Sequence, residues 1–132
     1  MNSLEPPETL ENAMNNEEEL LRTYVDCFNA HDIEAVMDCF DDDAVVIDHE
    51  GRRFEGRDAI RGFYERQFRA LPDGRCELRH IVSQPGSGMA ETRFVGTVSG
   101  TGKTVEALGP EVATFGGNKI KELRDYHRLT AG

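Results

Sequence analysis

The run Val45-Val46-Ile47-Asp48 ends an apolar, β-branched stretch on a carboxylate. Two readings of Asp48 are open. It opens the turn Asp48-His49-Glu50-Gly51, as aspartate does in many tight turns. Or it hangs over a pocket and moves protons, the work of a general base. Glu111 poses a similar choice. Read with period two, it shares a face with Val105, Ala107, Gly109, Ala113 and Phe115, where it is the odd member. Burial on that face would disfavour its charge and leave a neutral carboxyl able to donate a hydrogen bond. The competing reading is a bulge at Pro110 that turns Glu111 outward. Tyr24 sits on the buried side of a helical segment with Leu20, Leu21 and Phe28, so its hydroxyl needs a partner in any case. Asp125 and His127 share a strand face with Leu123 and Leu129. Asp125 is a pocket candidate, and His127 suits a pocket rim or a dimer interface.

The elements that would position these groups follow from periodicity. Residues 1–16 are polar and contain Pro6 and Pro7, which reads as a loose tail ahead of one domain spanning 17–132. From Glu17 a helical period appears through Leu20, Leu21, Tyr24, Val25 and Phe28, with Glu17 to Glu19 suited to the positive end of the helix dipole. Asp32 is a plausible N-cap for a second helix carrying Ile33, Val36, Met37 and Phe40, ended by Asp41 to Asp43. A short strand covers Ala44 to Asp48. A third helix carries Ile60, Phe63, Tyr64, Phe68 and Leu71, and Pro72, Asp73 and Gly74 stop it. From Cys76 to Leu129 the pattern changes to four strands divided by PGSG, GTG and GGN. Helices first and a meander later predict an α+β domain, with helices on one face of a curved, mostly antiparallel sheet that encloses a conical pocket.

Bulk composition narrows the function. A chain of 132 residues with net charge −10 suits a single domain and lacks the basic face that nucleic acid requires. The same acidity disfavours an anionic membrane surface, and no apolar run approaches the ~20 residues of a membrane helix. The first residues lack a basic segment followed by an apolar one, so no signal peptide is expected. Cys27, Cys39 and Cys76 form no CxxC pair and read as free, packed thiols in a cytoplasmic protein. His31, His49, His80 and His127 show no HxH or HExxH spacing, so no metal and no cofactor are expected. Gly96 to Thr104 imitates a phosphate-binding loop, but Thr97 stands where its first glycine belongs, and no helix follows. A hairpin turn is the better reading.

Three stretches together resemble the cone-shaped superfamily of nuclear transport factor 2, the SnoaL-like polyketide cyclases and ketosteroid isomerase. They are LLRTYVDCFNAHDIEAVMDCFDDDAVVIDHEG, FEGRDAIRGFYE and GNKIKELRDY. The likeness spans nearly everything after Glu17 and specifies the superfamily better than any one activity. Ketosteroid isomerase fits the polar positions best. That resemblance implies Asp48 as catalytic base, Tyr24 and a protonated Glu111 as oxyanion donors, and Tyr64 supporting Tyr24 by hydrogen bonding. Glu111 is longer than the family's aspartate by one methylene, and Phe40 replaces a further tyrosine. In epoxide hydrolases of the superfamily an aspartate occupies the place of Asp125, beside an arginine and a second aspartate. Here Val95 holds the second place, so that set is incomplete, and Asp125 is left as an auxiliary acid/base. Arg93 would be the arginine; the alternating set Ala90, Thr92, Phe94, Gly96 and Val98 reads as the inner face and puts Arg93 outside, whereas the epoxide-hydrolase register puts it inside, and the sequence leaves both open.

The function expected is cofactor-free proton transfer, of isomerase or cyclase type, on a mostly apolar cyclic ketone. The alternative is a non-catalytic binding or association domain of the same fold. Phe28, Phe40, Phe63, Phe94, Ala113, Phe115 and His127 are expected to line the pocket, and a homodimer formed through the outer sheet faces is expected from the resemblance.

Overall fold

The computed structural model describes residues 10–131. Helix α1 (Leu10–Asn29) buries Leu21, Tyr24, Val25 and Phe28 along one stripe, the spacing that packs a helix against a sheet. It begins ahead of Glu17, so the expected tail is shorter at its inner end; residues 1–9 lie outside the described part. Glu17 is therefore not at the helix start. Its carboxylate is buried and accepts the Gly86 backbone N–H at 2.8 Å, tying α1 to a distant turn. Asp32 caps α2 (Ile33–Asp38) by accepting the Ala35 N–H at 3.1 Å.

The acidic run does not end α2 as expected. Cys39 caps the helix, and Phe40 to Asp43 already belong to β1 (Phe40–Ile47). The pairing register shifts between Phe40 and Val45, so the acidic residues sit in an irregular segment where Asp42 and Asp43 face solvent. The stretch after the turn forms a short strand, β2 (Arg53–Glu55), followed by α3 (Arg57–Ala70).

Four longer strands complete the sheet: β3 (Arg75–Gln84), β4 (Ser87–Thr97), β5 (Thr104–Gly116) and β6 (Lys119–Asp125). The order is β2-β1-β6-β5-β4-β3, with β1 and β6 parallel and the other neighbours antiparallel. The sheet stays unclosed, and register shifts in several pairings bend it. The imitation phosphate loop is the β4–β5 hairpin, with Thr97 opposite Thr104. Between helices and sheet lies an aromatic core in which Tyr24, Phe28, Phe40, Tyr64 and Phe94 meet edge to face or tilted.

The last expected strand is two. β6 stops at Asp125, and β7 (Arg128–Ala131) resumes along the same neighbour, with Ala107 opposite Leu129. Gly109 makes the break possible. Its φ is 152°, and a Cβ there would lie 2.7 Å from the Tyr126 carbonyl oxygen and 2.8 Å from His127 Cα. Tyr126 N–H instead closes onto the Pro110 carbonyl at 2.9 Å, so the chain at Tyr126 and His127 folds tightly over β5.

Gly109→Ala should therefore cost ~1–3 kcal/mol of stability, because backbone atoms rather than a flexible side chain stand in the way. Gly100→Ala, also at positive φ (89°) but in open space, should cost less. Chemical denaturation of both variants measures the difference.

Candidate active site

β5 and β6 set the centre of the site. Glu111 lies opposite Ala90 on β4 and opposite Asp125 on β6, so the pleat points both carboxyls to the helix-covered side. Glu111 points inward, and no bulge at Pro110 turns it away. Both line a cavity of about 160 Å³. Tyr24, Val25 and Phe28 of α1 and Phe63, Tyr64 and Gln67 of α3 form its roof. Val46, Cys76, Phe94, Val105 and Ala107 form its floor, and His49, Leu71, His127 and Leu129 complete the lining.

Glu111 has no hydrogen-bond partner among the described residues and keeps some accessible surface because it faces the cavity. Burial, and then the charge of Asp125, push its pKa up to about 8, against a smaller pull from His127. At neutral pH it is mainly a neutral acid with a proton to donate. Asp125 is arranged differently. Its Oδ1 accepts the His127 backbone N–H at 2.8 Å and is bonded to His127 Nδ1 at 2.6 Å. Oδ2 has no partner among the described residues. The other His127 nitrogen, Nε2, is 2.7 Å from the hydroxyl of Thr92, which is buried. Burial works against the charged imidazole, but the Asp125 bond and the charges of Glu111 and Asp125 outweigh it, and the His127 pKa is raised.

The Tyr24 and Tyr64 hydroxyls are 2.5 Å apart. Each carries one proton, so one hydroxyl donates to the other and the second keeps a proton for a ligand. Burial holds both phenols well above their ordinary pKa, followed by the charge of Glu111. The pair is thus a neutral donor beside the neutral Glu111.

Asp48 is placed elsewhere than expected. It does not line the cavity. Its Oδ1 accepts the backbone N–H groups of Glu50 and Arg52, each at 2.9 Å, and its Oδ2 takes the Arg52 guanidinium at 2.8 Å. Burial would raise its pKa, but these bonds outweigh it and the net shift is downward. The turn reading accounts for every oxygen, and the residue that reaches the cavity from this turn is His49. Phe28, Phe63, Phe94 and His127 line the cavity as expected, whereas Phe40, Ala113 and Phe115 pack in or against the core instead. Arg93 points outward onto Glu106 at 2.6 Å, and so takes no part in the cavity. Gln67 carries no sequence expectation, and the sequence presents Cys76 only as a packed thiol and Thr92 only as an inner-face strand residue, not as parts of a site. Gln67 follows Tyr64 at helical i, i+3 spacing, and Thr92 belongs to the inner set of its strand; these are the signals that locate them.

An oxygen of Glu111, an oxygen of Asp125 and a nitrogen of His127 lie within 4.8 Å of one another, a donor set of the kind that holds divalent cations. The sequence spacing hides it, since the β5–β6 register makes it. Both His127 nitrogens are already bonded, to Asp125 and Thr92, so a cation would have to break one of those bonds.

This architecture defines a class. Residues 21–123 match the SnoaL-like domain family, and the chain belongs to that family. Its helices on a curved, unclosed sheet are the cone of nuclear transport factor 2-like and ketosteroid isomerase-like proteins. A protein from Jannaschia provisionally named a SnoaL-like polyketide cyclase superposes with a TM-score of 0.79 at 14% identity, covering 98% of this chain and 92% of that one. A Catenulispora acidiphila protein with a ketosteroid isomerase-like fold, solved in complex with trimethylamine, gives 0.78 at 17% identity over 86% and 88% of the two chains. An NTF2-like protein of unknown function from Burkholderia pseudomallei gives 0.76 at 13% identity over 88% and 92%. No curated protein sequence matches the chain. No helix among the described residues is long and apolar enough to cross a membrane.

The buried acid makes stability depend on pH. An unfolded glutamate releases its proton near 4.5, whereas folded Glu111 holds it to about 8, so folding binds a proton across that window and stability falls as pH rises through it. His127, with its raised pKa, adds stability that is full below its unfolded value of 6.5 and is lost as pH rises through its folded value. Glu111→Gln should therefore remove part of the loss in melting temperature between acid and alkaline solution, a gain on the order of a few kcal/mol at the alkaline end. Thermal unfolding of both proteins across this range measures it.

Proposed function

We propose that this protein is a cofactor-free proton-transfer enzyme, of isomerase or cyclase type, acting on a small and mostly apolar cyclic ketone or enone. The observation that carries the reading is the pairing of a protonated Glu111 with the open Oδ2 of Asp125 inside an aromatic cavity. A ligand carbonyl oxygen would accept hydrogen bonds from Glu111 and from the Tyr24–Tyr64 pair. Both donors are neutral, so they stabilise negative charge as it develops on that oxygen without first having to surrender a charge of their own. Asp125 Oδ2 would take the proton alpha to the carbonyl. The enol or enolate so formed either regains the proton at another carbon or attacks a second carbonyl of the same molecule, whose π electrons pass to its oxygen, which then takes the proton back from Asp125. The base is thus Asp125, on the sheet, and Asp48 supports the turn that carries His49.

Size limits the substrate. A cavity of about 160 Å³ is close to the ~150 Å³ engineered cavity that accepts benzene, so one or two rings fit better than a steroid. A second reading rests on the trimethylamine complex of the Catenulispora relative. Aromatic walls with a carboxylate also suit a small alkylammonium ion held without chemistry. The two readings differ in their pH dependence. Neutral carbonyl ligands need Glu111 protonated and weaken as pH passes about 8, whereas an alkylammonium tightens as Glu111 ionises.

Catalysed exchange of the alpha protons of cyclohexenone and tetralone into deuterated water, followed by proton NMR, tests the enzyme reading. Wild type should accelerate exchange over buffer, and Asp125→Asn should lose roughly a hundredfold to ten-thousandfold of that acceleration. Asp48→Asn should keep most of it. Exchange that survives in Asp125→Asn and disappears in Asp48→Asn would overturn the assignment of the base.

A further inference from the structure

Thr92 is a buried hydroxyl on the inner face of β4 that the proposed chemistry does not use directly, yet it is bonded on two sides. His127 Nε2 lies 2.7 Å away and the Cys76 Sγ 3.8 Å away. With Asp125 on the far side of the imidazole, the groups form a line that runs from the end of β6 and the β6–β7 break, across β5, to β4 and β3: Asp125 Oδ1, His127, Thr92, Cys76. We propose that Thr92 is the positioning residue of the site: it pins His127 so that the imidazole occupies Asp125 Oδ1 and leaves Oδ2 open to the cavity. This inference rests on the reading of Asp125 as the base.

The geometry gives Thr92 a task that valine could not perform. His127 Nδ1 donates to Asp125 Oδ1 whether the ring is neutral or charged. Nε2 changes role with charge: the neutral ring accepts there, and the imidazolium donates. A hydroxyl satisfies both, because its proton rotates. When the ring is neutral, the Thr92 O–H points at Nε2. When the ring is charged, Nε2–H points at Thr92 Oγ1 and the Thr92 proton turns toward Cys76 Sγ, a weak acceptor whose thiol burial keeps protonated, its pKa pushed up to about 12. His127 can therefore gain or lose a proton without moving, and Asp125 keeps its orientation in both states. Without the hydroxyl, the charged ring would hold an unsatisfied N–H inside the fold, which is costly. The other titratable groups acting on this ring are Asp125 on β6 and Glu111 on β5, and the Tyr24 and Tyr64 phenols of α1 and α3 and His49 line the same cavity.

The test is nitrogen-15 NMR of the His127 ring, which needs no substrate. In wild type, the Nε2 proton should be visible and protected from exchange under acidic conditions, and the ring should titrate above an ordinary histidine. In Thr92→Val, the ring should titrate lower by roughly one pH unit or more. In Thr92→Ser, which restores the hydroxyl, it should return toward wild type. An unprotected Nε2 proton in wild type, or an unchanged titration in a folded Thr92→Val, overturns the inference. Alpha-proton exchange on cyclohexenone separates this from the enzymatic reading. If wild type catalyses no exchange but the titration moves and serine rescues it, the pin stands and the chemistry falls. If both hold, Thr92→Val should slow turnover more than it weakens binding of cyclohexenone.

Discussion

A carboxyl group set into an apolar wall must be compensated, and the compensation of Glu111 organises the rest of this molecule. Its strand neighbours on the same face, Ala107 and Ala113, are buried and small, so nothing on β5 offers it a partner. The facing residue on β6 is Asp125, a second carboxyl that makes ionisation harder still. Two adjacent carboxyls in a poorly solvated place settle into unequal states. Asp125 keeps its acceptor role because His127 bonds its Oδ1 twice, and Glu111 keeps a proton because burial and the charge of Asp125 outweigh the pull of His127. One register position thus sets a protonated carboxyl beside a hydrogen-bonded one.

The surrounding fold serves that pair. α1 and α3 bring Tyr24 and Tyr64 together over it, and their mutual hydrogen bond leaves a single spare phenolic proton facing the cavity. Phe28, Phe63 and Phe94 give the space apolar walls, and a low local dielectric strengthens polar contacts made there. The break between β6 and β7 is required because His127 must fold back over β5 to reach both Asp125 and Thr92. Only a glycine at position 109 lets the backbones approach that closely. The proposed chemistry, the aromatic lining and the strand break are therefore parts of one arrangement around Glu111.

Parts of this were legible in the sequence because they depend on local period. The inward face of β5 follows from Val105, Ala107 and Ala113 at period two, and it places Glu111 correctly despite Pro110. The buried stripe of α1 follows from Leu21, Tyr24 and Phe28 in the same way. What was not legible depends on side chains reaching across space. Asp48 looked like a base because it ends an apolar strand and matches the base of ketosteroid isomerase, yet Arg52 curls back across the turn and occupies Oδ2. The bond between Thr92 and His127 joins residues far apart in the chain, and no spacing announces it. The acidic run Asp41 to Asp43 looked like a helix end, but β6 pairs with the residues on both sides of it, Phe40 with Ile120 and Val45 with Glu122, and holds the run in β1 as an irregular segment. Tertiary pairing overrode local preference there.

The charge state of Glu111 decides what this cavity can do, and carbon-13 NMR of its carboxyl, selectively labelled and titrated in the folded protein, reads it directly. The expected result is a carboxyl that stays protonated through neutral pH and titrates near 8, with a second inflection as His127 changes charge. A Glu111 that titrates in the ordinary carboxylate range near 4.5 would contradict it, because the cavity would then hold two charged carboxylates and no neutral acid to meet a carbonyl oxygen.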